Sequence, residues 1–375
     1  MVLKLFNSAK QNTNEAIAQS VKSLTQYRIG TIEQERFIAY LQSPDSRMLY
    51  HANPRLIAEQ LQLTERETLK VLVAALKEGI VTLNWDIQCP VCQGIDFAAT
   101  HLCELRTWHI CSSCHHKHES DADEQVRVTF SIDERLRSLP KEANDLEFRS
   151  HVDAKYGVVS GHRLLTVQMF RELFPRETMP PNESLLIRQV TILFTDLAGS
   201  TALYSLRGDS QAYNLVNQHF NFLFEIVDRY NGAVIKTIGD AIMATFTSPS
   251  DGIEAAIAMQ EEMQNFNRRI ESTNNQLILK IGVHAGPCIS VTLNERADYF
   301  GTTVNTAARV EGLSQGNDIV FTQSLLNHAK AIAEAKNYNY EQSFVKLKGI
   351  SEPSRVFHMR ITKSSSSNVS EFNLI

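Results

Sequence analysis

At 375 residues the chain exceeds what one ordinary hydrophobic core supports and suits two or three domains. Its 43% hydrophobic and 21% charged residues, with a net charge of -5, give a globular balance and no global basic excess for nucleic acid or anionic membrane. Apolar runs are short, as at 71–76, and the opening Met1-Val2-Leu3-Lys4 lacks a basic stretch followed by a long apolar one, so the expectation is a cytoplasmic protein with no membrane partner.

The N-terminal part is patterned as helix. Residues 54–61 and 64–76 read as two helices joined by a tight turn, and Thr64-Glu65-Arg66-Glu67 fits a capping box. After Gly79, Ile80-Val81-Thr82-Leu83-Asn84-Trp85 reads as a strand, so the order resembles a winged helix. Phosphate contacts require a net basic face, yet residues 53–86 hold four Lys or Arg against five Asp or Glu. A structural or regulatory role is therefore expected here, and nucleic acid is not an expected partner. A transcription factor led by this segment stays as a rival.

Cys89-Pro90-Val91-Cys92 and Cys111-Ser112-Ser113-Cys114 are 18 residues apart, within zinc-ribbon spacing, where two knuckles offer four thiolates to one tetrahedral ion. Such a Zn²⁺ site is structural, because Cys89, Cys92, Cys111 and Cys114 fill the coordination sphere. The alternatives are reduced cysteines without metal or a redox pair. His115, His116 and His118 crowd the second knuckle and are candidate replacement ligands, while Cys103 and Cys288 read as ordinary thiols.

Pro175, Pro180 and Pro181 make a seam over 175–184 that cannot continue a helix, and the main boundary is placed there. Beyond it, Gln189-Val190-Thr191-Ile192-Leu193-Phe194 is a strand-like run feeding Thr195-Asp196-Leu197-Ala198-Gly199-Ser200-Thr201. A small-residue turn of this kind, with Gly199, Ser200 and Thr201, points backbone N–H groups at a polyphosphate, and the strand-end aspartate suits its Mg²⁺. Asp209-Ser210 reads as the cap of a helix whose Ala212, Leu215, Val216, Phe220, Leu223 and Val227 face inward. The run 234–246 reads as a hairpin with Asp240 at its tip, so two carboxylates on adjacent strands are placed to share divalent ions.

Four blocks carry a specific resemblance. They are Phe194-Thr195-Asp196-Leu197-Ala198-Gly199-Ser200-Thr201, Lys236-Thr237-Ile238-Gly239-Asp240-Ala241, Gly282-Val283-His284-Ala285-Gly286-Pro287, and Asp298-Tyr299-Phe300-Gly301-Thr302-Thr303-Val304-Asn305-Thr306-Ala307-Ala308-Arg309. In this order they look like the successive motifs of class III adenylate and guanylate cyclases. The N-terminal half, with its cysteine knuckles and Phe170-Arg171-Glu172-Leu173-Phe174, resembles the uncharacterised domain that precedes the cyclase in some bacterial proteins.

The resemblance implies an α+β, ferredoxin-like palm as the catalytic half. It makes Asp196 and Asp240 the metal-binding aspartates, with the Leu197 carbonyl as an extra ligand, for two Mg²⁺ or Mn²⁺ per active site. Lys236 and Asp298 match the pair that reads adenine: a Lys donor faces N1 and an Asp acceptor faces the amino group, whereas guanine presents the opposite sense. Asn305 matches the residue that orients the ribose, and Arg309 the one that stabilises charge on the phosphates. Lys348 is read either as a contact to the terminal phosphates or as a solvated strand lysine. The implied substrate is ATP, cyclised at shared sites in a head-to-tail homodimer. The rivals are a guanylate cyclase, a silent nucleotide-binding module, and a diguanylate cyclase, whose Gly-Gly-Asp/Glu-Glu-Phe signature is missing from the chain.

The expected layout is a helical, winged-helix-like regulatory region at 1–86, a zinc-ribbon-like segment at 87–130, a connecting segment at 131–184, the cyclase domain at 185–362 and a polar, low-complexity tail at 363–375.

Overall fold

The computed structural model of the chain describes residues 2–200, 208–269, 276–350 and 352–361. The chain divides into two compact units, residues 1–189 with 287–300, and residues 190–286 with 301–375. The expected tail at 363–375 lies outside the described residues.

The first unit opens with four helices, α1 (Val2–Val21), α2 (Thr31–Leu41), α3 (Pro54–Leu61) and α4 (Glu65–Lys77). Asn53 caps α3 by accepting the Arg55 N–H at 2.8 Å, and Pro54 sits in its first turn. The Thr64–Glu67 capping box starts α4 as the sequence predicts. Residues 71–75 of α4 are all buried, and five consecutive positions sweep the whole circumference of a helix. The middle of this helix therefore belongs to a core, while Glu67 and Lys77 nearer its ends are exposed.

Strand β1 (Val81–Gln88) follows, flanked by β2 (Ile95–Ala99) and, after β3 (Trp108–Ile110) and β4 (Lys117–Glu119), by β5 (Val126–Ile132), giving the antiparallel order β2-β1-β5. The cysteine knuckles lie in the excursion between β1 and β5, where β3 and β4 form a separate two-stranded sheet. On one face of the β1–β5 ribbon Val81, Leu83, Trp85 and Ile87 alternate into the core opposite apolar partners of β5. Helices α5 (Leu146–Tyr156), α6 (Gly161–Leu165) and α7 (Gln168–Leu173) complete this part of the unit, and Phe170 of α7 meets Trp85 edge-on at 6.2 Å.

Next come β6 (Leu185–Leu197), α8 (Asp209–Arg229), β7 (Ala233–Ile238), β8 (Ala241–Phe246), α9 (Pro249–Arg268) and β9 (Leu279–Leu293). Helix α8 begins at Asp209 itself behind Gly208, so the expected Asp209-Ser210 cap is displaced by one residue. This βαββαβ succession pairs in the order β9-β6-β8-β7, the ferredoxin-like arrangement. After β10 (Arg296–Phe300) and α10 (Thr302–Glu311), β11 (Asp318–Thr322) runs parallel to β9. Helix α11 (Leu326–Lys336) and strands β12 (Asn339–Val345) and β13 (Ser354–Arg360) follow, and the sheet extends as β12-β13-β11-β9. Leu215, Leu223 and Val227 of α8 join Ile253 and Met263 of α9 and sheet residues such as Leu193 and Phe246 in one buried cluster. Among the described residues no helix is long and apolar enough to cross a membrane.

Candidate functional site

Strand pairing sets the two aspartates. Thr195 of β6 lies opposite Ile242 of β8, so Asp196 and Asp240 emerge at the same end of adjoining strands. The β7–β8 turn is Gly239-Asp240, and Gly239 takes the left-handed conformation, φ 64°, that glycine adopts without a Cβ penalty. Oδ2 of Asp240 is buried and has no hydrogen-bond partner among the described residues. Buried carboxylate oxygens are ordinarily paired, so an orphan of this kind marks a place for a cation. Behind it His219 is fully buried, which pulls its imidazole down to about 4 and keeps it neutral, so it supplies Asp240 with no charge at neutral pH.

Lys280 of β9 sits between carboxylates. Its Nζ lies 3.6 Å from Asp196 Oδ2 and 2.7 Å from Glu311 Oε1 at the end of α10. Burial works against the ammonium, but Glu311 and Asp196 outweigh it and hold Lys280 above its usual range. Glu311 is pushed up, first by burial and further by the neighbouring Asp196 and Asp240, against the pull of Lys280. Lys280 thus pairs with two carboxylates, Asp240 lies close enough to act on Glu311 as well, and all three offer hard oxygen donors. Hard oxygen donors of this kind are the sort that could hold a divalent cation such as Mg²⁺ or Mn²⁺.

Asn305 and Arg309 lie four residues apart on α10, on the side away from the buried Thr303, Thr306, Ala307 and Val310. The helix comes this close to β9 because residue 282 is glycine: a Cβ there would fall 2.1 Å from the Glu311 backbone nitrogen. Arg309 is half-buried and makes no ion pair among the described residues, and its Nη2 lies 3.3 Å from where a Cβ of Gly349 would stand. The segment holding the exposed Lys348 is therefore beside Arg309. Lys236 is on β7, the end strand of the sheet, where a bulge shifts the register between Val234 and Lys236. Gly199 follows β6 in a turn and Ser200 is helical, while Thr201 lies outside the described residues.

Asp298 belongs by its contacts to the first unit, where the β9–β10 hairpin is held. It is 8% exposed, and its Oδ1 accepts the Tyr299 N–H at 2.8 Å. Arg171 of α7 donates to the Ala297 carbonyl at 2.6 Å. Burial lowers that guanidinium, and the nearby Tyr299 and Asp298 partly restore it. Thr292 Oγ1 adds a hydrogen bond to the Met179 carbonyl at 2.6 Å.

The four cysteines converge. Their sulfurs lie within 4.8 Å of one another, with Cys89 and Cys114 3.5 Å apart and Cys92 and Cys111 3.6 Å apart. Bonds of about 2.3 Å to a tetrahedral zinc place sulfurs roughly 3.8 Å apart, so the cluster can bind such an ion. The two knuckles share a backbone device: Gln93 and His115, each following the second cysteine of its pair, both have φ 59°. The backbone N–H of Cys92, with that of Val91, holds the Cys89 thiol down at about 7. None of the three histidines joins the cluster, and His118 is buried with its Nδ1 3.0 Å from Gln125 Oε1 rather than solvated.

A ferredoxin-like sheet carries Asp196 and Asp240 at neighbouring strand ends, with Asn305 and Arg309 together on one face of α10. Residues 183–359 match the adenylate and guanylate cyclase catalytic domain, and this half of the chain belongs to that class III cyclase family. Residues 11–159 match a family of unknown function, DUF5939. An adenylate cyclase of Anabaena cylindrica is 28% identical over 186 residues, 46% of this chain and 37% of that protein. Atrial natriuretic peptide receptor 2 of Rattus norvegicus is 34% identical over 137 residues, 34% of this chain and 13% of the receptor. The structure of the adenylyl cyclase CyaB from P. aeruginosa aligns at 22% identity and a TM-score of 0.41, covering 47% of this chain and 95% of that one. The chain spans no more than 37% of the length of the first four curated relatives.

Lys280, Glu311 and Arg171 are the residues that motif reading did not single out for the site. Lys280 had a local signal: it is the one charged position in the otherwise apolar run Leu277-Ile278-Leu279-Lys280-Ile281.

Proposed function

We propose that the chain is an adenylate cyclase that converts ATP to 3′,5′-cyclic AMP and pyrophosphate at sites shared across a head-to-tail homodimer. The observation that carries this reading is the pair Asp196 and Asp240, with an orphaned buried oxygen on Asp240 and too little positive charge around the two. Two Mg²⁺ or Mn²⁺ held there would lower the pKa of the ribose 3′-hydroxyl and neutralise triphosphate charge.

The chain's own groups supply the rest. Asn305 orients the ribose so that its 3′-oxygen faces the α-phosphorus. Arg309 stabilises charge as that bond forms and the bond to pyrophosphate breaks, and Lys348 meets the terminal phosphates. Its lack of an ion partner among the described residues supports a role for Arg309 toward an anionic substrate. Lys236 and Asp298 favour adenine over guanine. In this reading residues 1–86 regulate, 131–184 connect and 185–362 catalyse, and reduced cysteines holding Zn²⁺ at 87–130 suit a cytoplasmic setting.

The test is cyclic nucleotide formation by purified protein given ATP or GTP with Mg²⁺ or Mn²⁺. Cyclic AMP from ATP alone supports the assignment, and cyclic GMP moves it to a guanylate cyclase. Arg309→Ala should lower turnover about 100- to 1,000-fold, as loss of one preorganised oxyanion donor does. Unchanged turnover removes Arg309 from the chemistry.

A further inference from the structure

The second face of the β1–β5 ribbon is polar along its whole length: Thr82, Asn84 and Asp86 lie opposite Ser131, Thr129 and Arg127. A face of this composition is normally turned to water. Here Asn84 and Ser131 are 7% and 8% exposed, and Asp86, Thr129 and Arg127 less still. Enclosing so many polar groups is costly unless they are bonded. At the Asp86 end most are: His51 Nδ1 lies 3.0 Å from Asp86 Oδ1, Thr129 Oγ1 donates to Asp86 Oδ2 at 2.8 Å, and Arg127 Nη1 donates to Asp153 of α5 at 2.6 Å, while its Nε and Nη2 have no hydrogen-bond partner among the described residues.

At the other end a cavity of about 720 Å³ opens over Thr82, Asn84 and Ser131, walled by Tyr50 and His51 and rimmed by Lys141 and Asn144. That volume is in the range that encloses a small-molecule ligand. The floor offers mixed donors and acceptors. Ser131 Oγ accepts from the His51 backbone N–H at 2.9 Å and from Asn84 Nδ2 at 3.1 Å, which leaves its own proton to donate. No donor reaches Asn84 Oδ1 among the described residues. His51 is held in the left-handed region, φ 43°, which is uncommon for a residue with a Cβ and concentrates at functional positions.

The charges in the lining are spent or peripheral. Asp133 is bonded by Arg135 at 2.9 and 2.7 Å, which holds its carboxyl below the usual range, while Glu134 and Lys141 are exposed and of opposite sign. A buried floor without free charge does not select an anion. Groups that both give and take hydrogen bonds match this floor, and Tyr50 adds an aromatic side chain to the lining.

We propose that this cavity binds an uncharged, polyhydroxylated small molecule of disaccharide or nucleoside size. The proposal is independent of the cyclase reading, because it concerns binding in the first unit alone. The test uses the purified full chain and measures its heat-unfolding midpoint with millimolar trehalose, uridine, trehalose phosphate or uridine monophosphate. A ligand that binds only the folded state raises the midpoint with concentration. The expected result is a rise with trehalose, identifying a sugar site, or with uridine, identifying a nucleoside site, that disappears in Thr82→Phe, which fills the cavity floor. Asn144→Trp, at the exposed rim, gives the same readout should Thr82→Phe fail to fold. No rise with either neutral compound overturns the proposal, and so does a rise that survives both variants. A Thr82-dependent rise with the phosphorylated compounds as large as with the neutral ones overturns the selection against charge.

Discussion

Lys280 carries one positive charge between the carboxylates of Asp196 and Glu311, and its removal tests whether the pair acts as a unit. Breaking a buried ion pair leaves an uncompensated charge at a cost of about 3–5 kcal/mol, and partial exposure here, 18% and 16% for the Lys280 and Glu311 side chains, reduces that to roughly 2–3 kcal/mol. Lys280→Met should lose about that much stability in urea denaturation without divalent metal, and adding Glu311→Gln should recover most of it. Additive losses in the double variant would show that the pair does not act as a unit. The aspartates were legible in the sequence because a strand-end Asp after a β-branched run, and an Asp in a Gly-Asp turn, are local signals. The Lys280–Glu311 contact spans 31 residues and depends on how closely α10 approaches Gly282, which no local pattern records.

The elements themselves were largely readable. Alternation gave β1, capping gave α4, and the Gly-Asp turn gave the β7–β8 hairpin, since each is decided by residues within one turn or one pleat. Two features were not. The burial of the polar face of β1 and β5 was not legible, because it depends on contacts from residues far away in the chain, such as His51 and Asp153 of α5. Likewise the β9–β10 hairpin, inside the cyclase family's span, is held by Arg171 of α7. Loss of a hydrogen bond to a charged group costs about 1.5–3 kcal/mol. If Asp298 reads adenine as proposed, Arg171→Met should loosen the hairpin that carries it and raise KM for ATP by roughly tenfold, with a smaller change in kcat. An unchanged KM would leave Arg171 a purely structural residue.

The cysteine excursion is an element with its own test. Four thiolates converging at tetrahedral spacing should give one zinc ion per chain by metal analysis of protein purified without chelator. Cys111→Ser should lose it and lower the unfolding midpoint of the first unit, since metal binding and folding of such a segment are one equilibrium. Full zinc content in Cys111→Ser would place the metal elsewhere.

For the whole molecule, the six residues implied by the resemblance divide into two sets: Asp196 and Asp240 on one side, and Lys236, Asp298, Asn305 and Arg309 on the other. If one chain's aspartates serve the other chain's second set, Asp196→Ala and Arg309→Ala proteins are each inactive alone, because every site in either homodimer lacks one group. Mixed after dissociation, they form heterodimers in about half of the population, and each heterodimer has one site missing both groups and one missing neither. Activity should therefore return to about a quarter of the wild-type value per chain. Sites formed within a single chain would give no recovery at any mixing ratio, because every chain would still carry a defect. Recovery that falls on dilution would further tie activity to the dimer, since association depends on protomer concentration and single-chain chemistry does not.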